Sequence, residues 1–236
     1  MPAWAADRCC YGRGVNRQVC TNGPQHAEKV GGAAARRSGP DVRVRSVADD
    51  ASTTPHERLL AAATELFYRE GVHTVGIDRV IARAGVAKAT LYSTFGSKDA
   101  LIAAYLEIRH REMRERVDQA IGRHRSSREQ LLAVFDLQIE LTSDPEYRGC
   151  PFANATAEAH APSADAAADA YRDWLRETFT ALASQTGASN PRTLAQQLHL
   201  LWDGAAQSAR MDRDQHGAWA ARTAAATLLD AALPTA

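Results

Sequence analysis

Aromatic side chains are scarce in this sequence, at 6% of 236 residues, while alanine recurs in runs at Ala33–Ala35, Ala61–Ala63, Ala166–Ala168 and Ala224–Ala226. That balance favours packed helices over sandwiches and barrels, whose strands draw on aromatic and β-branched residues. Long apolar runs are missing too. No stretch reaches the roughly 18 consecutive apolar residues of a membrane span, so none is expected. Cysteine is rare: Cys9, Cys10 and Cys20 sit near the start and Cys150 stands alone. Their spacing fits neither a disulfide framework nor a zinc site, which points to a reducing, cytoplasmic compartment. The opening MPAWAADRCCYGRG lacks the apolar core of a secretory signal. His199, Asp203 and His216 form no recognisable metal triad, and no cofactor is expected.

Net charge is also absent, with 28 basic and 28 acidic residues, but the two signs are unevenly placed. Residues 1–54 carry a net +3, residues 55–110 a net +1 and residues 111–236 a net −4. A polyanion would therefore meet the front of the chain.

Residues 1–53 show neither a helical nor a strand period and read as a disordered extension. Deleting residues 1–50 should leave the melting temperature and self-association unchanged, because nothing there can build a core. A large fall in melting temperature would show the extension to be structural. Order begins at Thr54-Pro55-His56-Glu57, a capping box with proline at the first helical position. Leu59, Leu60, Ala63, Leu66 and Phe67 then repeat at helical spacing as far as Gly71. A short helix with Ile77, Val80, Ile81 and Ala84 follows, broken by Gly85-Val86-Ala87. A third runs from about Lys88 to Thr94, and Ser97 caps a long fourth.

Downstream the same period continues. Ser127 with Gln130 reads as a capping box for a fifth helix, and Pro151 opens a sixth reaching to about His160. A seventh spans Ser163 to Ser184, an eighth opens at Asn190-Pro191, and a ninth follows Gly217. The predicted fold is all-α, with about nine helices and no strand. The domain boundaries read as 54–105 for a three-helix head and 106–236 for a helical body.

The stretch Val75–Leu101 carries the chemistry. Two short helices joined at a glycine form a helix-turn-helix pattern, whose second helix enters the major groove of double-stranded DNA. Ile77, Val80, Ile81, Val86, Leu91 and Phe95 can bury together, which turns Lys88, Thr90, Tyr92, Ser93 and Thr94 outward. Hydroxyls and an ammonium suit phosphates and base edges.

The order Thr90-Leu91-Tyr92-Ser93-Thr94-Phe95-Gly96-Ser97-Lys98 resembles the DNA-binding domain of TetR-type transcriptional regulators, as do Ile81–Val86 and Ala62–Gly71. Arg148-Gly149-Cys150-Pro151-Phe152-Ala153-Asn154 is similar to a G-C-P-F/L-x-N segment of one branch of them. The resemblance implies that Lys88, Ala89, Thr90, Tyr92, Ser93 and Thr94 face DNA and that Lys98 meets a phosphate at a helix start. It departs from the family at Ala87, where a capping serine is frequent, and at Gly96, where proline is frequent. It further implies a homodimeric, non-enzymatic regulator, a repressor of operator DNA, with an unknown small-molecule effector. Helices over 191–210 and 216–232 would form the dimer interface, their small residues (Gly204, Ala205, Ala206, Ala209, Ala224, Ala225) allowing close approach.

Candidate effector-binding residues are Phe152, Asn154, Trp174, Phe179 and Trp202, although aromatics at such spacing also serve as plain core. An apolar or amphipathic compound is expected there, and not a sugar phosphate. Asn154 and Glu158, four apart, could orient a ligand, or Asn154 could satisfy buried backbone. Cys150 before Pro151 could be a thiolate favoured by a helix N-terminus, or a structural thiol. A rival enzymatic reading pairs Cys150 with His160 as nucleophile and base.

Overall fold

The structure, a computed structural model, describes residues 53–158 and 161–233. The expectations for the extension 1–53 (Thr53 apart) and for His160 therefore lie outside the described residues. Among the described residues the chain forms nine helices and no strand: α1 Pro55–Glu70, α2 Ile77–Ala84, α3 Lys88–Phe95, α4 Lys98–Gly122, α5 Ser127–Thr142, α6 Pro151–Glu158, α7 Pro162–Gln185, α8 Pro191–Asp212 and α9 His216–Ala232.

The first helix starts where its capping chemistry says it must. The Glu57 backbone N–H donates to Thr54 Oγ1 at 3.2 Å, and the Thr54 backbone N–H donates to Glu57 Oε2 at 2.7 Å. Two of the unpaired donors of a helix start are thereby satisfied. Leu59, Ala62, Ala63, Leu66 and Phe67 form its buried stripe. Phe67 meets Tyr105 of α4 edge-on at 5.7 Å, which seats the head on the long helix.

Helix α5 corrects the predicted capping box by one residue. Ser126, in extended conformation, is the N-cap and accepts from the Glu129 backbone N–H at 3.2 Å. Gln130, the residue expected to close the box, instead donates to the His124 carbonyl at 3.0 Å. The adjacent pairs Ser126/Glu129 and Ser127/Gln130 fit the same pattern, and the structure uses the first.

The body packs α5, α7, α8 and α9 around one apolar centre. Phe135 of α5 stacks on Phe179 of α7 at 5.7 Å, and Trp202 of α8 stands 6.3 Å from Phe135. Ala205, Ala209, Ala221 and Ala225 are buried within the single chain, where α8 packs on α9. The close approach these small residues permit is thus used between α8 and α9 within the one chain. Ion pairs Arg128–Asp230 and Arg222–Asp136 lash α5 to α9 at the surface.

Candidate nucleic-acid interface and effector cavity

The turn between α2 and α3 needs a left-handed residue, and Gly85 supplies it at φ 64° and ψ 42°. The Val86 backbone N–H then donates to the Ile81 carbonyl at 3.3 Å, closing the end of α2. Leu91 is fully buried, and Ile77, Ile81, Val86 and Phe95 pack half-buried around it. With that face inward, Lys88, Ala89, Tyr92 and Ser93 are exposed and Thr90 and Thr94 half-exposed. Tyr92 shows 47% of its surface to solvent, one of the few large exposed aromatics among the described residues.

Lys88 Nζ lies 3.0 Å from Asp78 Oδ1, and that hydrogen bond raises the ammonium pKa. The pair is exposed and adds little to stability, so a phosphate can displace the carboxylate. Ser93 and Thr94 turn their hydroxyls back onto the Thr90 carbonyl, at 3.0 and 2.6 Å, leaving oxygen lone pairs outward. Lys98 opens α4 half-buried, and that burial lowers its pKa. Ala87 caps α3 without a side-chain hydrogen bond. Sequence reasoning overlooked what holds α2 against α1: Arg79 grips Glu70 with two hydrogen bonds of 2.7 and 2.8 Å, and Arg83 reaches Glu65 at 2.7 Å.

A cavity of about 160 Å³ lies behind the head, lined by Tyr68 of α1, Arg109 of α4, Gln138 of α5, Phe152 of α6, Tyr171 of α7 and Trp202 of α8, among others. A second, of about 650 Å³, shares Phe152, Tyr171 and Trp202 and opens beside Asp165 and Asp169. Cys150 and Ala206 line both cavities as well. Phe152 and Tyr171 stack with centroids 4.0 Å apart and rings 5° from parallel, and Trp202 Nε1 donates to the Tyr171 hydroxyl at 3.2 Å. Burial drives the Tyr171 phenol pKa well up, so it stays protonated.

The other expected residues sit differently. Phe179 is fully buried in the core against Phe135 and lines neither cavity, and Trp174 is half-buried beside His110 at 5.2 Å. Asn154 donates to the Arg148 carbonyl at 2.9 Å and accepts from Arg210 at 2.6 Å, the backbone-satisfying alternative. Glu158 accepts from the His73 backbone N–H at 3.3 Å, tying α6 to the loop after α1. A side chain at Gly71, whose φ is 91°, would collide with that carboxylate.

Tyr68 escaped notice in the sequence. Its hydroxyl accepts from the Arg148 backbone N–H at 3.0 Å, and the Arg109 guanidinium lies 4.5 Å from its ring centroid. The head thus contributes one wall of the cavity.

At Cys150 the two influences weighed in the sequence oppose each other. The backbone N–H groups of Phe152 and Ala153 do favour its charged form, as a helix start should. Burial outweighs them and pushes the thiol pKa up, so it is neutral near pH 7. His199 is buried with Nε2 3.7 Å from Asp203 Oδ2, and burial lowers its pKa. Among the described residues no cluster of histidine, cysteine and carboxylates could hold a metal ion, and no helix is long and apolar enough to cross a membrane.

A short helix pair with a left-handed glycine turn, a polar second helix facing outward and a helical body behind it define the helix-turn-helix class of DNA-binding proteins. Comparison with known proteins agrees. Residues 59–105 match the family described as bacterial regulatory proteins, tetR family, and residues 127–225 match the tetracyclin repressor-like C-terminal domain. A TetR-family transcriptional regulator from Streptomyces coelicolor is 35% identical, with a TM-score of 0.72 over 76% of this chain and 96% of that one. A putative regulator of the same type from Streptomyces avermitilis is 36% identical, with a TM-score of 0.68 over 76% and 98%. This chain belongs to the TetR family. Among curated relatives, the transcriptional activator FasR of Mycolicibacterium smegmatis is 37% identical over 79 residues, 34% of this chain and only 36% of its own length. The regulator LmrA of Bacillus subtilis is 26% identical over 141 residues, 58% of this chain and 74% of its own length.

Proposed function

We infer that this protein is a homodimeric repressor that binds operator DNA through α3 and releases it when a small molecule occupies the cavity. The observation that carries the reading is the two-sided α3, with Leu91 fully buried and Lys88, Ala89, Tyr92 and Ser93 exposed. Lys88, Ser93, Thr94 and Tyr92 reach base edges and phosphates, Ala89 offers a methyl, Thr90 supports the Ser93 and Thr94 hydroxyls, and Lys98 meets a phosphate. Residues 54–105 act as the DNA-binding head and residues 106–236 as the effector-binding and dimerisation body. Phe152 and Trp202 form the effector's wall, with Trp174 beside Tyr171 and Phe179 beside Trp202 behind it, while Asn154 ties the start of α6 to Arg210 of α8.

A second copy of the chain covers the outer face of α8 and α9. Leu200 is 71% exposed, Met211 70% and Trp219 52%, large apolar groups left in water on adjacent helices. Two such chains place their α3 helices in successive major grooves, about 34–36 Å apart or adapted to a longer operator. Coupling to the effector runs through Tyr68 and Glu158. One belongs to the head and lines the cavity, and the other grips the loop that follows α1. A molecule that binds the DNA-free conformer more tightly shifts the population toward it.

The test is a gel shift against DNA upstream of the protein's own gene, run over a salt series. The unaltered chain should bind, and Lys98→Ala should weaken binding on all sequences alike and lower the salt slope by about one ion. Lys88→Ala should instead change preference at particular bases. An unchanged slope for Lys98→Ala removes that residue from the interface, and absence of any binding to the upstream DNA removes the autoregulatory operator. Transcription from that operator should rise when the protein is deleted, and a fall would make it an activator.

A further inference from the structure

The smaller cavity contains a hydrogen-bonding group with nothing to bond. Gln138 is 2% exposed on a helix face that also buries Leu131, Val134, Phe135 and Thr142. Its Nε2 donates to the Trp202 carbonyl at 2.7 Å, which fixes the amide and leaves Oε1 buried without a partner. An unpaired buried acceptor costs about 1–3 kcal/mol relative to a paired one, so a donor that reaches it gains correspondingly. Tyr171 stands in the same wall, its oxygen already accepting from Trp202 Nε1 and its own hydrogen without an acceptor among the described residues. One neutral hydroxyl can donate to the first and accept from the second.

Size and charge narrow the class further. About 160 Å³ is close to the roughly 150 Å³ that accommodates a benzene ring in a protein interior. The charged lining residues are two cations, Arg109 and Arg116, and two anions, Glu112 and Asp144, and Arg109 is already paired with Glu112 at 3.1 Å. The formal charges of the lining thus sum to zero, and Arg109 Nε is a second buried group there without a hydrogen-bond partner. The stacked rings of Phe152 and Tyr171 present apolar surface to a flat ligand.

We propose that the cavity binds a neutral single-ring aromatic alcohol or amine whose polar hydrogen is donated to Gln138 Oε1. This rests on the effector reading above and names the chemistry of that same site.

The test titrates the full chain with phenol, toluene, benzoate and hydroxypyrene by calorimetry, beside a gel shift on its operator. Phenol should bind about tenfold more tightly than toluene, with benzoate weaker still and the four-ring hydroxypyrene excluded. In Gln138→Met the preference of phenol over toluene should shrink to within about twofold. If that variant does not fold, as circular dichroism would show, the phenol-to-toluene ratio in the unaltered chain decides the matter alone. Equal binding of toluene or benzoate overturns the proposal, as does tighter binding of hydroxypyrene or an undiminished phenol preference in Gln138→Met. Operator binding with no aromatic bound overturns the ligand class and leaves the regulator reading intact. Phenol bound with the operator retained supports the ligand class and overturns the effector role.

Discussion

Replacing both Leu200 and Met211 by glutamate is expected to halve the mass of the protein in solution and to weaken operator binding by roughly a hundredfold or more. Both side chains are about 70% exposed in the single chain, so glutamate is tolerated there and the fold should melt where it did before. Across a two-fold interface the same carboxylates would be buried against one another, at an effective cost of several kcal/mol per ion. A dimer cannot form under that penalty, and a single head then holds one half-site instead of two. Light scattering reads the mass and a gel shift the affinity. An unchanged mass with intact folding would show that this face of α8 is not the interface.

Phe135→Ala should produce the largest loss of stability of any single truncation in the body, about 3–5 kcal/mol, with a fall in melting temperature on the order of 10 °C. Phe135 is fully buried, stacks on Phe179 and abuts Trp202, so its removal opens a void where three helices meet. Close packing around those helices lets the surrounding side chains collapse only partly into the space. Thermal unfolding followed by circular dichroism measures the change. A loss below about 1 kcal/mol would mean that the core collapses to fill the void.

The head was legible because its information is local. Thr54 and Glu57 are three residues apart, Gly85 sits where the chain must reverse, and Leu91 alternates with polar neighbours at a helical period. Each of those signals acts within a few residues, and each appears in the structure as the sequence implied. The capping of α5 was ambiguous for the same reason: Ser126/Glu129 and Ser127/Gln130 are equally good local patterns.

Matters of partner choice were not legible. The alanines of α8 and α9 declare that something approaches closely, and say nothing of whether it is the neighbouring helix or a second chain. Cys150 displays its place before a helix in the sequence, but whether that dipole or burial governs the thiol depends on Tyr147, Phe152 and Tyr171 closing around it. Asn154 finds Arg210 across 56 residues of chain, and Gln138 finds the Trp202 carbonyl across 64. By itself the sequence determined the helices, their order, the head and its polar face, because helix period, caps and turns are set by neighbours along the chain. Only the tertiary structure decided the cavity, its unpaired acceptor and the state of Cys150, because solvent exclusion arises where distant segments meet.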